Sequence, residues 1–174
     1  MDAESEKIVT VYEDARSEAN IAVWAIQLQI NRLRSEDNEI PGFVLQPVVD
    51  FHFLVTALTR LRKMADLVSK FSNISEAIKK FDETLPDLKN IRNVLEHIDE
   101  YRLGKGRNKN VSANALRTIL LDPDRIQWLD YEIKTNEALE VSDFLFQAIK
   151  ANAPEAYLAK VNEVKQFDKE TRRT

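Results

Sequence analysis

The chain has 174 residues, no cysteine and a formal net charge of −4, which excludes disulfides, thiolate metal sites, thiol catalysis and iron–sulfur chemistry. The acidic balance also argues against a sequence-independent nucleic-acid coat, which needs a broadly basic surface. With 44% hydrophobic and 31% charged residues it is globular rather than disordered, and three glycines and five prolines are too few for a turn-rich all-β fold.

A first helix is predicted over residues 3–34, where Ile8, Tyr12, Ala15, Ala19, Ala22, Ile26 and Leu33 recur at near-helical spacing. Asn38-Glu39-Ile40-Pro41-Gly42 then breaks it. Pro47 suits a first helical position, and Val48, Phe51, Leu54, Val55, Leu58, Leu61, Ala65 and Val68 carry a second long helix to about residue 70. Asn73, with Glu76 three residues on, reads as a capping arrangement for a short third helix whose stripe is Ile74, Ala77, Ile78 and Phe81. Pro86 opens a fourth helix over 86–103, with Leu88, Ile91, Leu95 and Ile98 inward and Gly104 as its C-terminal cap. A polar, cationic loop occupies 104–110. Apolar runs at 116–121 and 126–131 flank Asp122-Pro123-Asp124-Arg125, a type I turn signal, so a β-hairpin is predicted there. Helices over 135–151 and from Pro154 onward complete the chain, and 169–174 is expected to fray.

These elements predict a mainly α protein. A single helical domain over 1–168 forms an antiparallel four-helix-type bundle with extra short helices and a small β-hairpin. The acidic N-terminus lacks the basic start and apolar run of a signal peptide, and the apolar stretches are too short to span a bilayer. A cytoplasmic protein without a membrane partner is expected.

Several chemistries are missing from the sequence. It holds no glycine-rich phosphate loop, no dinucleotide fingerprint, no His-Glu-x-x-His or paired Glu-x-x-His, and no Gly-x-Ser-x-Gly elbow. No metal site and no cofactor are therefore expected. Only two histidines occur, His52 and His97. His52 falls beside the Phe51/Val55 stripe and is expected first as a core histidine with a hydrogen-bond partner, the alternatives being a supporting role near His97 or pairing with Asp50. His97 lies on the polar side of the fourth helix with Arg92, Asn93, Glu96 and Glu100. One helical turn separates His97 from Asn93 and from Tyr101. Arg92 and His97 are about 140° apart around the axis, so they can act together only across a groove supplied by another helix or subunit. Beyond them, Arg102, Lys105, Arg107 and Lys109 cluster, either to contact an RNA backbone or to complement the helix dipole. Trp24, Phe51, Phe53, Phe71, Phe81, Trp128, Phe144 and Phe146 read mostly as core packing, with Trp128 the first candidate exception, since a hairpin outside the bundle can expose one face.

Arg92-Asn93-x-x-x-His97 near the middle of a bundle helix resembles the signature of the HEPN superfamily, an Arg followed by a polar residue and, after a short gap, a His. The resemblance implies an antiparallel helical bundle, a homodimer, and metal-independent RNA cleavage. In that reaction the ribose 2′-hydroxyl attacks the adjacent phosphate to leave a cyclic phosphate and a 5′-hydroxyl. His97 would move the proton, Arg92 would hold the phosphate, and Asn93 would orient either. Arg102, Lys105, Arg107, Lys109 and Tyr101 would bind the RNA. Such a protein would be a toxin or defence effector, partnered by an antitoxin or regulatory protein; no DNA partner is expected. The alternative is a non-catalytic HEPN-like dimeric adaptor, or a regulatory or nucleotide-binding bundle. The carboxylates of Glu96, Asp99 and Glu100 around His97 favour it.

Overall fold

Asp2 starts the first helix, its carboxylate accepting the Ser5 N–H at 2.8 Å. The computed structural model describes the backbone of residues 1–35 and 45–171, and side chains within those spans as far as residue 165. Among the described residues there are seven α-helices: α1 (Ala3–Arg34), α2 (Gln46–Val68), α3 (Ser75–Thr84), α4 (Leu88–Glu96), α5 (Ile98–Arg102), α6 (Thr135–Ala151) and α7 (Glu155–Thr171). Between α5 and α6 lies a three-stranded antiparallel sheet of β1 (Ile119–Asp122), β2 (Arg125–Trp128) and β3 (Tyr131–Lys134), in that order. The fold is mainly helical, as the periodicities predict.

The two long helices form the centre. Glu18 pairs with Arg60, and Arg32 pairs with the buried Asp50 at 3.0 Å. Partner numbers fall along α2 as they rise along α1, so the two run antiparallel. Ala15, Ala19 and Ala22 are fully buried on α1, and such small side chains let neighbouring helices lie close. Tyr12 donates its hydroxyl to the Ile149 carbonyl at 3.1 Å, and Arg34 donates to Thr135 Oγ1 at 2.8 Å. These two contacts lay α6 antiparallel along α1. Arg16 reaches the Tyr157 hydroxyl at 2.8 Å, and Lys160 reaches Glu13 at 3.0 Å, which holds α7 on α1. Arg62 grips both oxygens of Asp82, at 2.7 and 2.8 Å, and so clamps α3 to α2. The sheet buries Ile126, Trp128 and Ile133, with Trp128 edge-on to Phe51 of α2 at 5.9 Å.

Three details differ from the expectations. The predicted hairpin gains a third strand, because Leu129-Asp130 makes a second two-residue turn, with Trp128 paired to Tyr131. Leu129 adopts φ 58° there, a conformation that turn signals based on Gly or Asn do not anticipate. Asn73 does not cap α3. Ile74 occupies the cap position without a side-chain bond, and Asn73 instead accepts the Ser75 hydroxyl. The helix expected over 86–103 is interrupted at His97. The last helix, α7, spans Glu155–Thr171. The expected break at 38–42 and residues 172–174 lie outside the described residues. Among the described residues no helix is long and apolar enough to cross a membrane.

Candidate functional site

His97 is the residue at which α4 ends and α5 begins, with φ −118° and ψ 30°. Neither Pro nor Gly causes this break. Beyond the break Tyr101 is buried at 2% exposure, as Leu88, Ile91 and Val94 are before it. The Tyr101 hydroxyl then accepts Asn93 Nδ2–H at 3.1 Å and the Asn108 N–H at 3.3 Å. Gly104, at φ 70°, closes α5 as expected: its N–H bonds to the Tyr101 carbonyl at 3.0 Å and the Lys105 N–H to that of Glu100 at 2.8 Å.

The three motif residues share this short segment but each has its own partner. Arg92 donates through Nε to Glu96 at 2.8 Å, and this bond holds the Glu96 carboxyl below the usual carboxylate range. Asn93 is engaged with Tyr101. His97, about half exposed, has Nδ1 3.3 Å from a Glu100 carboxylate oxygen. Both the guanidinium and the imidazole are thus already faced by carboxylates from their own helices. These pairs are partly open to solvent, so a phosphate can compete for the cations.

Tyr101, expected among the RNA-binding residues, is instead buried, and it organises the loop that follows. Its ring lies under Gly106, where an added Cβ would stand 2.2 Å from Cδ1. Arg102, Lys105, Arg107 and Lys109 are all exposed around this pin, close in sequence to His97. Asn108 extends the anchor by donating Nδ2–H to the Tyr131 hydroxyl at 3.2 Å, linking the loop to the sheet.

Arg92 leads to a feature the sequence reading missed. Together with His52, Val55, Thr56, Thr59, Leu95 and Glu96 it lines a cleft of about 240 Å³ between α2 and α4. A second, more charged hollow of about 530 Å³ lies further along, where Arg62, Lys63, Asp66, Asp82 and Lys89 join Arg92. His52 is therefore not the hydrogen-bonded core histidine expected. It is exposed on α2, and partial desolvation in the cleft pushes its imidazole below its ordinary value. The signal was present in the helical wheel, which places Val55 and Thr59 at three and seven residues from His52 on one face. Among the described residues no group of three or more His, Asp or Glu gathers as metal ligands.

Of the aromatics read as packing, Trp128 lies in the core and three others do not. Trp128 is buried, its indole N–H donated to the Leu116 carbonyl at 3.3 Å, and offers no base-stacking face. Trp24, expected in the core, is 68% exposed, and Phe53 and Phe144 are likewise exposed. No family model, no curated protein and no solved structure matches the chain.

Proposed function

We propose that the α4–α5 break is the site of a HEPN-type, metal-independent endoribonuclease, acting as a homodimeric bundle in the manner of a toxin or defence effector. The observation that carries this reading is the placement of His97. Its imidazole is half open to solvent at a helix break, four residues from Asn93 and five from Arg92, and close in sequence to four exposed cations. His97 takes the 2′-hydroxyl proton as the O2′–P bond forms. The P–O5′ bond then breaks and O5′ is protonated. In the dimer the motif helices of the two copies face each other, so that Arg92 of one copy, exchanging Glu96 for a phosphate oxygen, acts with His97 of the other, and the loop cations hold the flanking backbone.

The test is cleavage of a mixed RNA pool in EDTA, run beside His97→Ala and Arg92→Ala. Cleavage lost in both variants, with unchanged circular dichroism and melting, supports the nuclease. An inert wild type would sink it. A second reading has its own support: Arg92 and His97 each already carry a glutamate, the arrangement of a non-catalytic adaptor or nucleotide-binding bundle. In that case RNA is not cleaved, and both substitutions alter stability or partner binding instead.

A further inference from the structure

Thr59 differs from its fellow threonines in the helices. Thr10, Thr56 and Thr84 each donate the hydroxyl to the carbonyl four residues back, at 3.0, 2.9 and 2.8 Å. The Thr59 hydroxyl is buried, and no group among the described residues meets it. Its position is also particular: Thr59 and Arg92 line both the α2–α4 cleft and the hollow beyond it. The two spaces differ in character. The cleft, about 240 Å³, is smaller than the roughly 300–1,000 Å³ of a drug-sized site and suits one flat ring system. Val55 of α2 and Leu95 of α4 give it apolar sides, and His52 adds an imidazole. Partial burial keeps that imidazole below its ordinary value of 6.5, so at neutral pH it is uncharged, with one nitrogen to donate and one to accept. The hollow is cationic instead. Arg62 there is taken up by Asp66 and Asp82, while Lys63 and Lys89 make no ion pair among the described residues.

We propose that this cleft holds the nucleobase beside the phosphate that Arg92 takes, and that Thr59 and His52 read the edge of that base. The proposal rests on the RNA-cleavage reading for its substrate and adds the source of its sequence preference. Single-stranded RNA presents unstacked bases with flat π-faces and with edges that carry donors and acceptors. Those faces suit the apolar sides at Val55 and Leu95. The edge suits Thr59 and His52, each of which can both donate and accept while uncharged. Arg92, common to both spaces, takes the phosphate, and Lys63 and Lys89 in the hollow hold the backbone that continues from it. Other occupants fit less well. An aliphatic chain would leave the Thr59 hydroxyl unmet in a desolvated space. A phosphate alone would satisfy Arg92 and leave the apolar sides uncovered.

Binding without turnover tests the cleft separately from cleavage. The full chain is titrated with the four nucleoside 3′-monophosphates and the four 5′-monophosphates, which place the base on opposite sides of the phosphate. With only two histidines in the chain, the imidazole signals of His52 and His97 are followed directly by NMR. One base should bind at least about fivefold more tightly than the weakest, the worth of about one hydrogen bond, and should move the His52 signals. Thr59→Val keeps the side-chain shape and should remove that preference, whereas Thr59→Ser keeps the hydroxyl and should retain it. Thr84→Val on α3 should change neither, and circular dichroism checks that each variant folds. Mapped cleavage sites in a mixed RNA pool should show the same base beside the cut in the wild type and lose it in Thr59→Val. Cleavage with no base bias, together with equal binding of all four bases, overturns this proposal and leaves the nuclease standing. An inert wild type sinks the nuclease reading, and the titration still decides the cleft: selective binding that moves His52 supports the base pocket, and His52 signals unmoved by all eight nucleotides overturn it.

Discussion

Gly106→Ala is the sharpest probe of how the cationic loop is held beside His97. The new methyl carbon would lie 2.2, 2.4 and 2.5 Å from Tyr101 Cδ1, Cε1 and Cγ, against about 3.5 Å or more for carbon atoms in contact. Gly106 is buried, so the methyl has no solvent to turn into. The ring must therefore retreat by about 1 Å or the loop must lift. Either movement breaks into a hydroxyl held by Asn93 at 3.1 Å and by Asn108 at 3.3 Å. Overpacking costs about 1–3 kcal/mol and each weakened hydrogen bond about 1 kcal/mol, offset by about 0.4–1 kcal/mol from a stiffer unfolded chain. The net expectation is a loss of about 2–4 kcal/mol, or a fall in Tm of roughly 10 °C for a domain of this size. Urea and thermal unfolding measure it directly. The decisive control is Tyr101→Ala, which removes the obstructing ring; in that background Gly106→Ala should cost less than about 0.5 kcal/mol. An equal penalty in both backgrounds, or a single variant within about 0.5 kcal/mol of wild type, would refute the wedge between ring and glycine.

Three further outcomes are expected. Glu96→Gln and Glu100→Gln release Arg92 and His97 from their carboxylates, and the double variant should bind single-stranded RNA roughly fivefold more tightly, since exposed pairs are worth up to about 1 kcal/mol; unchanged or weaker binding in a filter assay would argue against a phosphate site there. For His52, burial lowers the folded imidazole below its ordinary value of 6.5, so the unfolded chain binds the extra proton between the two values. Stability should then be reduced in acid and rise with pH until about 6.5, where this contribution levels off; His52→Gln should flatten that slope in urea midpoints, and an NMR titration placing His52 above its ordinary value would reverse the sign. At Leu129, where φ is 58°, the glycine variant should be more stable than the alanine variant by about 1 kcal/mol, the reverse of ordinary strand positions.

The site was only partly legible in the sequence. Periodicity placed Arg92, Asn93 and His97 on one segment, and Gly104 ended it as predicted. The same periodicity assumed a straight helix. It therefore paired His97 with Asn93 and Tyr101, whereas in the fold Asn93 reaches Tyr101 over eight residues and His97 meets Glu100. Aromatic content was the other weak guide. Large apolar residues read as core by default, but Trp24 and Phe53 stand at helical positions facing outward from the α1–α2 seam.

What the sequence by itself determined is local. The long helices α1 and α2, the spans of α6 and the start of α7, the Gly104 cap and the Pro123 turn all follow from spacing, capping and proline or glycine chemistry within a few residues. The tertiary structure decided which helix faces were left bare, where the fourth helix had to bend, and that Arg92 would share a cleft with His52 rather than with His97. Those outcomes depend on partners far apart in the chain: Arg60 on Glu18, Arg34 on Thr135, and Phe51 on Trp128. Contacts between distant residues arise only when the chain packs, and no window of sequence contains them.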